Sequence, residues 1–394
     1  MSDIAVIGGG ASGIVAAITA ARLGKTVTIY EKNDRIGKKL LVTGNGRCNL
    51  TNINTDLSRY HGSNVTFAEN ALKELDVQAT LNLFEEFGLL TRVEEDGKVY
   101  PYCGRAAAVL DVLRLELERL GVEIKCGYDV KDIIKRATAF EIISWQGQHE
   151  FCGRVIFATG GKASPNLSSG SGYEILERLG HKITPLSPSI VQLKTDTSAI
   201  SGLKGVKCEG SLTMCNKTYT GEILFTDYGV SGPPAFSLSS YYNSDCKDIS
   251  VDFFPDMDEN SLYMLLRNKL ANLVSSQDLF TGILHKNVAN AIFKFSGISA
   301  DNINLQNLKF IVKAAKKFQL ELLGTLSWNN AQVTKGGVST DNVNSTTMES
   351  SLCQGLYITG EILDIDGDCG GFNLQWAWSS GYLAGLMAAT AEQI

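Results

Sequence analysis

The chain has no cysteine pair spaced C-x-x-C, no histidine pair spaced for a metal, no basic run longer than a pair and no apolar stretch long enough for a bilayer. Each absence removes a class of function. The nine cysteines, an odd number, are scattered from Cys48 to Cys369. Their scatter speaks against a dithiol redox centre, an iron–sulfur cluster and a structural zinc site. Most are expected as small buried hydrophobes in a reducing compartment. His61, His149, His181 and His285 stand alone, so no metal centre is expected. Asp364-Ile365-Asp366-Gly367-Asp368 opens like a calcium loop, but Cys369 and Gln375 stand where that loop needs Gly and Glu. A net charge of −6 without a basic cluster speaks against nucleic acid and against an anionic membrane surface. No run approaches the roughly 18 apolar residues of a membrane span, and Met1 to Asp3 leads straight into an apolar strand, where no secretory signal fits. A soluble, cytoplasmic protein is expected, with no nucleic-acid or membrane partner. Nothing in the composition fixes its oligomeric state.

What the chain does have is concentrated at its start. Asp3 to Ile7 is an apolar run suited to a buried parallel strand, and Gly8-Gly9-Gly10-Ala11-Ser12-Gly13 follows at once with G-x-G-x-x-G at Gly8, Gly10 and Gly13. Ile14 to Leu23 is an Ala-rich helical stretch ended by Gly24, and Thr26 to Tyr30 reads as a second strand closed by Glu31. Gly8 permits the tight turn, Gly10 lets backbone approach a pyrophosphate, and Gly13 lets the helix pack close to the strand. The helix N-terminus, with Ala11 and Ser12, faces the phosphate charge. Glu31 stands 18 residues past Gly13, where a carboxylate can accept from ribose hydroxyls. This end of the chain is expected to bind an adenine dinucleotide.

The remaining texture suggests an α/β protein whose Rossmann-like domain is built from both chain ends, residues 1–190 and 334–394, and interrupted by an insertion over 191–333. Gly37 to Asn52 is a Gly/Asn-rich loop. Phe67 to Phe87 reads as helical, and Ala106 to Leu120 as an amphipathic helix with Val109, Leu113, Leu117 and Leu120 on one face. Strands are expected over 122–130, 140–145 and 154–159, the last running into Ala158-Thr159-Gly160-Gly161. In the insertion, period-two patterning predicts a β-barrel-like part over 191–257 and 325–333. Leucines at helical spacing predict a helical part over 258–324, including a face formed by Leu308, Ile311, Ala315 and Phe318. From Gly336 the opening style returns: Gly355 to Glu361 reads as a strand ending in Gly360-Glu361, followed by Gly370-Gly371-Phe372-Asn373 and a helix from about 374 to 389.

Four further stretches sharpen this: Gly37 to Asn52, Leu224 to Pro233, Thr334-Lys335-Gly336-Gly337-Val338, and Gly360 to Trp378. With the three glycine-rich elements and Glu31 they resemble, over essentially the whole chain, the BaiN-like and aminoacetone-oxidase-like NAD(P)/FAD-dependent oxidoreductases, within the two-dinucleotide-binding-domain flavoproteins. The resemblance implies FAD as cofactor. It puts the pyrophosphate against Gly8 to Gly13, a ribose on Glu31 beside Lys32, and adenine on the backbone of Val130. Lys39, Leu40, Thr43, Gly44, Asn45, Gly46, Arg47, Cys48 and Asn49 would wrap the ribityl and ring region. Ala158, Thr159, Gly160 and Gly161 would pass close to the cofactor, and Gly360 with Glu361 would hold the ribityl chain. Gly371, Phe372 and Asn373 would sit at the pyrimidine edge, where a helix N-terminus suits the charge of reduced flavin. The sequence departs from the family at Asp227, where many relatives carry His, so no His acid–base role carries over.

The implied activity is hydride transfer through flavin N5, with NAD(P)H as a transient donor and an activated C=C, an enone of steroid or bile-acid type, as small-molecule acceptor. The alternative is an oxidase of a small amine using dioxygen. Gly170-Ser171-Gly172 lacks a third glycine and its own strand, so no second complete dinucleotide fingerprint is present. Tyr228, Arg47 and Cys48 are the candidate catalytic residues, with Phe372 as a further wall of a pocket expected between the flavin and the insertion. Tyr102 and Trp376 are candidates either for an aromatic slot or for the core.

Overall fold

The computed structural model describes residues 1–391. They divide into two compact units, residues 1–188 with those from 332 onward, and residues 189–331.

The first unit is a Rossmann-type sheet. Its strands are β1 (Ser2–Ile7), β2 (Val27–Glu31), β3 (Glu123–Cys126), β4 (Val130–Lys135), β5 (Phe140–Ser144), β6 (His149–Phe157) and β7 (Leu356–Ile358). Five pair in parallel in the order β3-β2-β1-β6-β7, while the N-terminal half of β6 also pairs antiparallel with β5, and β5 with β4. β1 from Ile4 onward and the whole of β2 are buried without alternation, because parallel strands of this kind are covered on both faces. Helix α1 (Ala11–Arg22) follows β1, α2 (Ala106–Arg119) precedes β3, and α3 (Phe372–Thr390) ends the unit.

Small residues govern how α1 meets α3. A Cβ on Gly381 would lie 2.4 Å from the Ser12 carbonyl oxygen, and one on Gly385 2.4 Å from that of Ala16. The long, almost wholly buried α3 therefore seats backbone to backbone on α1. Gln375 anchors it further. Its buried amide donates to the Leu75 carbonyl, Thr80 and Ser379, and accepts from Thr51.

The second unit is a closed six-stranded barrel of Leu193–Thr195, Lys207–Met214, Lys217–Phe225, Gly229–Ser231, Asp248–Asp252 and Phe318–Thr325, with the helices Glu259–Leu270, Lys286–Ser296 and Leu308–Lys316. It has its own apolar core, in which Phe253, Phe280 and Phe318 are buried.

Several local expectations need correction. The stretch 67–87 is not one helix. It breaks at Leu75, and the Asp76 carboxylate caps a new helix by accepting from the Ala79 N–H at 2.8 Å. The strand expected over 122–130 is two, separated at Gly127, which adopts φ +70°. Phe318 belongs to no helix: Phe318, Leu320 and Leu322 alternate inward on a barrel strand, so the helical part ends at Lys316. A helix over Pro233–Ser239 interrupts the β part. Gly232 at φ +100° turns the chain and Pro233 starts the helix, a position where its missing N–H costs nothing. Two of the cysteines are not free thiols, since Cys215 and Cys246 form a disulfide in the second unit.

Candidate functional site

Three glycine-rich elements of the first unit converge at the C-terminal ends of β1, β6 and β7. Gly8 turns at φ +103°, and a Cβ there would lie 2.5 Å from the Ala158 carbonyl oxygen, so the second element backs directly onto the first. Ala158 N–H donates to Ile7 at 2.9 Å. A Cβ on Gly13 would sit 2.0 Å from the Gly8 carbonyl oxygen, so only glycine lets α1 start this close to its own strand. The third element joins through Gly360, whose missing Cβ leaves room for the Ser12 hydroxyl and whose carbonyl accepts from the Trp376 indole at 3.1 Å. Around Gly10 the situation reverses: a Cβ built there meets nothing within 4 Å. That is open space at the helix N-terminus, where an anion is favoured by free N–H groups.

Glu31 is buried, and its carboxylate is partly committed. One oxygen accepts from the Gly9 N–H at 2.8 Å, and the other from the N–H and amide of Asn33 at 2.8 and 2.6 Å. Asn33 is a supporting residue that the sequence reading missed. Burial pulls the Lys32 ammonium below its usual pKa. Val130 opens β4. Its approach is tied to the Glu31 region, since Gly127 and Tyr128 donate to the carbonyls of Asn33 and Glu31.

The Gly/Asn-rich loop is folded as short 3-10 turns. Gly44, Asn45 and Gly46 are successive left-handed residues at φ +55°, +56° and +81°, a run that Gly and Asn tolerate and most residues do not. The Thr43 hydroxyl closes the preceding turn on the Leu40 carbonyl at 2.6 Å. Lys39 reaches Glu361 at 2.6 Å, and the other Glu361 oxygen accepts from the Thr334 N–H at 2.9 Å. Thr334 Oγ1 in turn accepts from the N–H groups of Lys162 and Ala163, and a Cβ on Gly161 would clash with it at 2.3 Å. Loop, second element and third element are therefore locked through Thr334, a second residue to which the sequence reading gave no role.

Two expected catalytic residues are otherwise engaged. Arg47 pairs with Glu94 at 2.5 Å and lies over the Tyr100 ring. Cys48 is fully buried, and burial pushes its thiol up to about 12, which disfavours the thiolate that redox chemistry needs. Trp376 is core, whereas Tyr102 is exposed. The Asn373 side chain is spent on the loop before α3, exchanging hydrogen bonds with Gly367, which leaves its backbone N–H for any ligand. Tyr228 stands half-buried in the second unit, on the tight turn between Lys217–Phe225 and Gly229–Ser231, with its carbonyl accepting from Thr195 N–H. Its neighbour Asp227 is exposed and paired with Lys204 at 2.6 Å.

The fold and this cradle are those of the Rossmann dinucleotide-binding class. The profile of the HI0933-like protein Rossmann domain matches residues 2–387. The chain belongs to that family of FAD-dependent oxidoreductases, as its motifs imply. It is 40% identical over 408 aligned positions to the 3-dehydro-bile acid delta(4,6)-reductase of Clostridium scindens, covering 99% of both chains. It is 30% identical to the ribosomal RNA dihydrouridine synthase of Haemophilus influenzae, covering 98% of both. Among solved structures, the 3-ketosteroid delta1-dehydrogenase of Sterolibacterium denitrificans shares the fold, with a TM-score of 0.53, 12% identity and coverage of 99% and 100%. A relative matched over nearly its full length is named for ribosomal RNA, so the expectation that nucleic acid is excluded is withdrawn. Among the described residues no helix is long and apolar enough to cross a membrane.

The cradle fits FAD on its own chemistry. Asn49 Oδ1 is buried without a hydrogen-bond partner and would lie 3.0 Å from a Cβ on Gly371, the residue that opens α3. The first-turn N–H groups of α3 have no intrahelical acceptor. An orphan acceptor beside free donors matches the flavin pyrimidine edge, which presents one N–H between two carbonyls.

Proposed function

We propose that the protein is an FAD-dependent reductase of a C=C bond conjugated to a carbonyl, of steroid or bile-acid type, with NAD(P)H as electron donor. The observation that carries this reading is full-length 40% identity to a 3-dehydro-bile acid reductase. FAD, when bound, supplies a two-electron carrier that accepts and delivers hydride.

In this reading Gly8 to Gly13 hold the pyrophosphate, with Gly10 leaving it room. Glu31, Lys32 and Val130 hold the adenosine end, and Lys39 with Glu361 the ribityl chain. The loop from Leu40 to Asn49, the turn from Ala158 to Gly161, and Gly371 to Asn373 enclose the ring, and Asn49 Oδ1 accepts its N–H. Tyr228 is the proposed source of the proton that the acceptor carbon takes up after hydride arrives, or of the hydrogen bond that polarises the carbonyl.

A second reading has one observation in its favour, the ribosomal RNA dihydrouridine synthase relative. Uracil also presents a C=C conjugated to a carbonyl, so the two readings share a bond type and differ in the molecule that carries it. The deciding experiment is anaerobic turnover of the purified yellow protein with NADH or NADPH against a 3-oxo-Δ4,6 bile acid or unmodified ribosomal RNA, set beside an aerobic assay of a small amine with dioxygen and no nicotinamide. Reduction of the bile acid alone supports the first reading, dihydrouridine formation the second, and peroxide from the amine overturns both.

A further inference from the structure

The acidic cluster rejected as a calcium loop contains three carboxylates, and two have protein partners. Asp364 accepts from the N–H and hydroxyl of Ser63 at 3.2 and 2.6 Å. Asp368 lies 2.8 Å from His61 Nε2 and 3.5 Å from Arg59. Asp366 differs: it is 1% exposed, and neither carboxylate oxygen has a hydrogen-bond partner. A carboxylate stripped of water and of donors strongly disfavours its charge.

Its surroundings are mixed in sign. His61 faces it on the paired strand Tyr60–His61 and Lys335 approaches from the strand Val333–Lys335; both favour the ionised form. Asp364 and Glu361 oppose it, and burial, the largest influence, pushes Asp366 up to about 7. Position matters as much. Gly367, the next residue, is clasped by Asn373 at the first turn of α3. Glu361, within the electrostatic reach of Asp366, ties down Lys39 and Thr334. Asp366 is thus linked, through Gly367 and through Glu361, to two places where the chain closes on the proposed cofactor.

We propose that Asp366 is a positioning residue that holds a proton when the dinucleotide is bound, so that loading the site takes up a proton from solution. The proposal rests on the FAD reading above. A dinucleotide brings the negative charge of its pyrophosphate to a unit in which Glu361 and Asp364 already oppose the charge of Asp366. A neutral Asp366 removes one more like charge and converts one of its unpartnered oxygens into an O–H donor. The unpartnered state of both oxygens, in a protein that satisfies the two neighbouring carboxylates, points to a group whose partner arrives with the ligand.

The test is titration of the apoprotein with FAD, followed by flavin fluorescence and by calorimetry in two buffers of different ionisation enthalpy. In the wild type, affinity should fall roughly tenfold between about pH 6 and about pH 8, as expected for uptake of one proton, and the calorimetry should register that proton. Asp366→Asn should bind FAD with affinity flat to within about twofold over the same range and take up no proton. Equal slopes in the two proteins overturn the proposal, as does loss of the slope in His61→Asn with its retention in Asp366→Asn. If Asp366→Asn fails to fold, isotope-edited infrared spectra of the wild type decide. A protonated-carboxyl stretch should grow when FAD is added at about pH 8, and its absence overturns the proposal. Failure of FAD to bind the wild type would instead remove the functional reading itself.

Discussion

Gly10 and Gly13 lie in one motif, yet alanine should act on them in opposite ways. Gly10 has φ −87° and ψ −171°, extended backbone open to any residue, and a Cβ there meets nothing within 4 Å. Gly10→Ala should leave the folded protein almost untouched. Alanine is a poorer N-cap than glycine by a few tenths of a kcal/mol or more, and the stiffer unfolded chain offsets this by about 0.4–1 kcal/mol. The methyl group would instead occupy space that the pyrophosphate needs. Displacing one charge-assisted hydrogen bond costs about 1.5–3 kcal/mol, a loss of roughly 10- to 150-fold in FAD affinity. Gly13→Ala places its Cβ 2.0 Å from a backbone oxygen. β1 and α1 must move apart, at a cost of about 1–3 kcal/mol or more, so stability and FAD affinity should fall together. Thermal melts of both apoproteins and fluorescence titration with FAD read the two effects separately. Wild-type FAD affinity in Gly10→Ala would refute the placement of the pyrophosphate, and a large drop in its apoprotein Tm would make Gly10 a folding residue instead.

Four other outcomes follow from the structure. Gln375→Leu strands the buried Thr51 hydroxyl and breaks the amide contacts to Leu75, Thr80 and Ser379; it should destabilise by about 2–4 kcal/mol in urea melts. Asp366 is held up at about 7 in the folded protein, against an ordinary 3.8, so the native state binds the extra proton and stability falls as pH rises between those values. Asp366→Asn should therefore gain stability over the wild type at about pH 8 relative to about pH 5, by at most about 2.7 kcal/mol, and parallel urea midpoints at both pH values would contradict this. Native alkylation followed by mass spectrometry should label exposed Cys103 and Cys126 long before Cys48, which should react only on unfolding. Tyr228→Phe should lower reduction of the organic acceptor at least about tenfold while FAD content and anaerobic bleaching by NAD(P)H stay near wild type; equal loss in both half-reactions would assign the residue a structural role.

The cofactor half of the molecule was legible because its signals are local. Strand, glycine turn, helix and acidic stop follow one another within thirty-one residues, and the glycine positions report directly on backbone approach. The barrel is legible as a change of period, but its last strand carries a helical spacing at its start. In Leu308 to Phe318 the helical spacing runs on to Phe318, while the alternation of Phe318, Leu320 and Leu322 becomes visible only from the other side. The Pro233–Ser239 helix was hidden for a related reason: Gly232-Pro233-Pro234 serves equally as a turn between strands and as a helix start. Long-range partners were not legible at all. Thr334 looks like any strand threonine until Gly161 and Glu361 are brought to it, and Cys48 looks reactive until the core closes over it.

The acidic cluster shows most plainly why composition misleads about chemistry. Read along the chain, Asp364, Asp366 and Asp368 are equivalent carboxylates at alternate positions, and metal-ligand spacing is the only hypothesis their pattern offers. Folding separates them completely. Ser63 satisfies one, His61 and Arg59 another, and the third is buried with no donor at all. The same logic withdrew the exclusion of RNA. Net charge sums every side chain, whereas a binding site is built from a few, and an enone on a sterol and the C=C of a uracil are the same kind of acceptor for hydride. In the proposed reading the acceptor, a small molecule or a base in RNA, is selected outside the cofactor cradle, and the family includes relatives named for both.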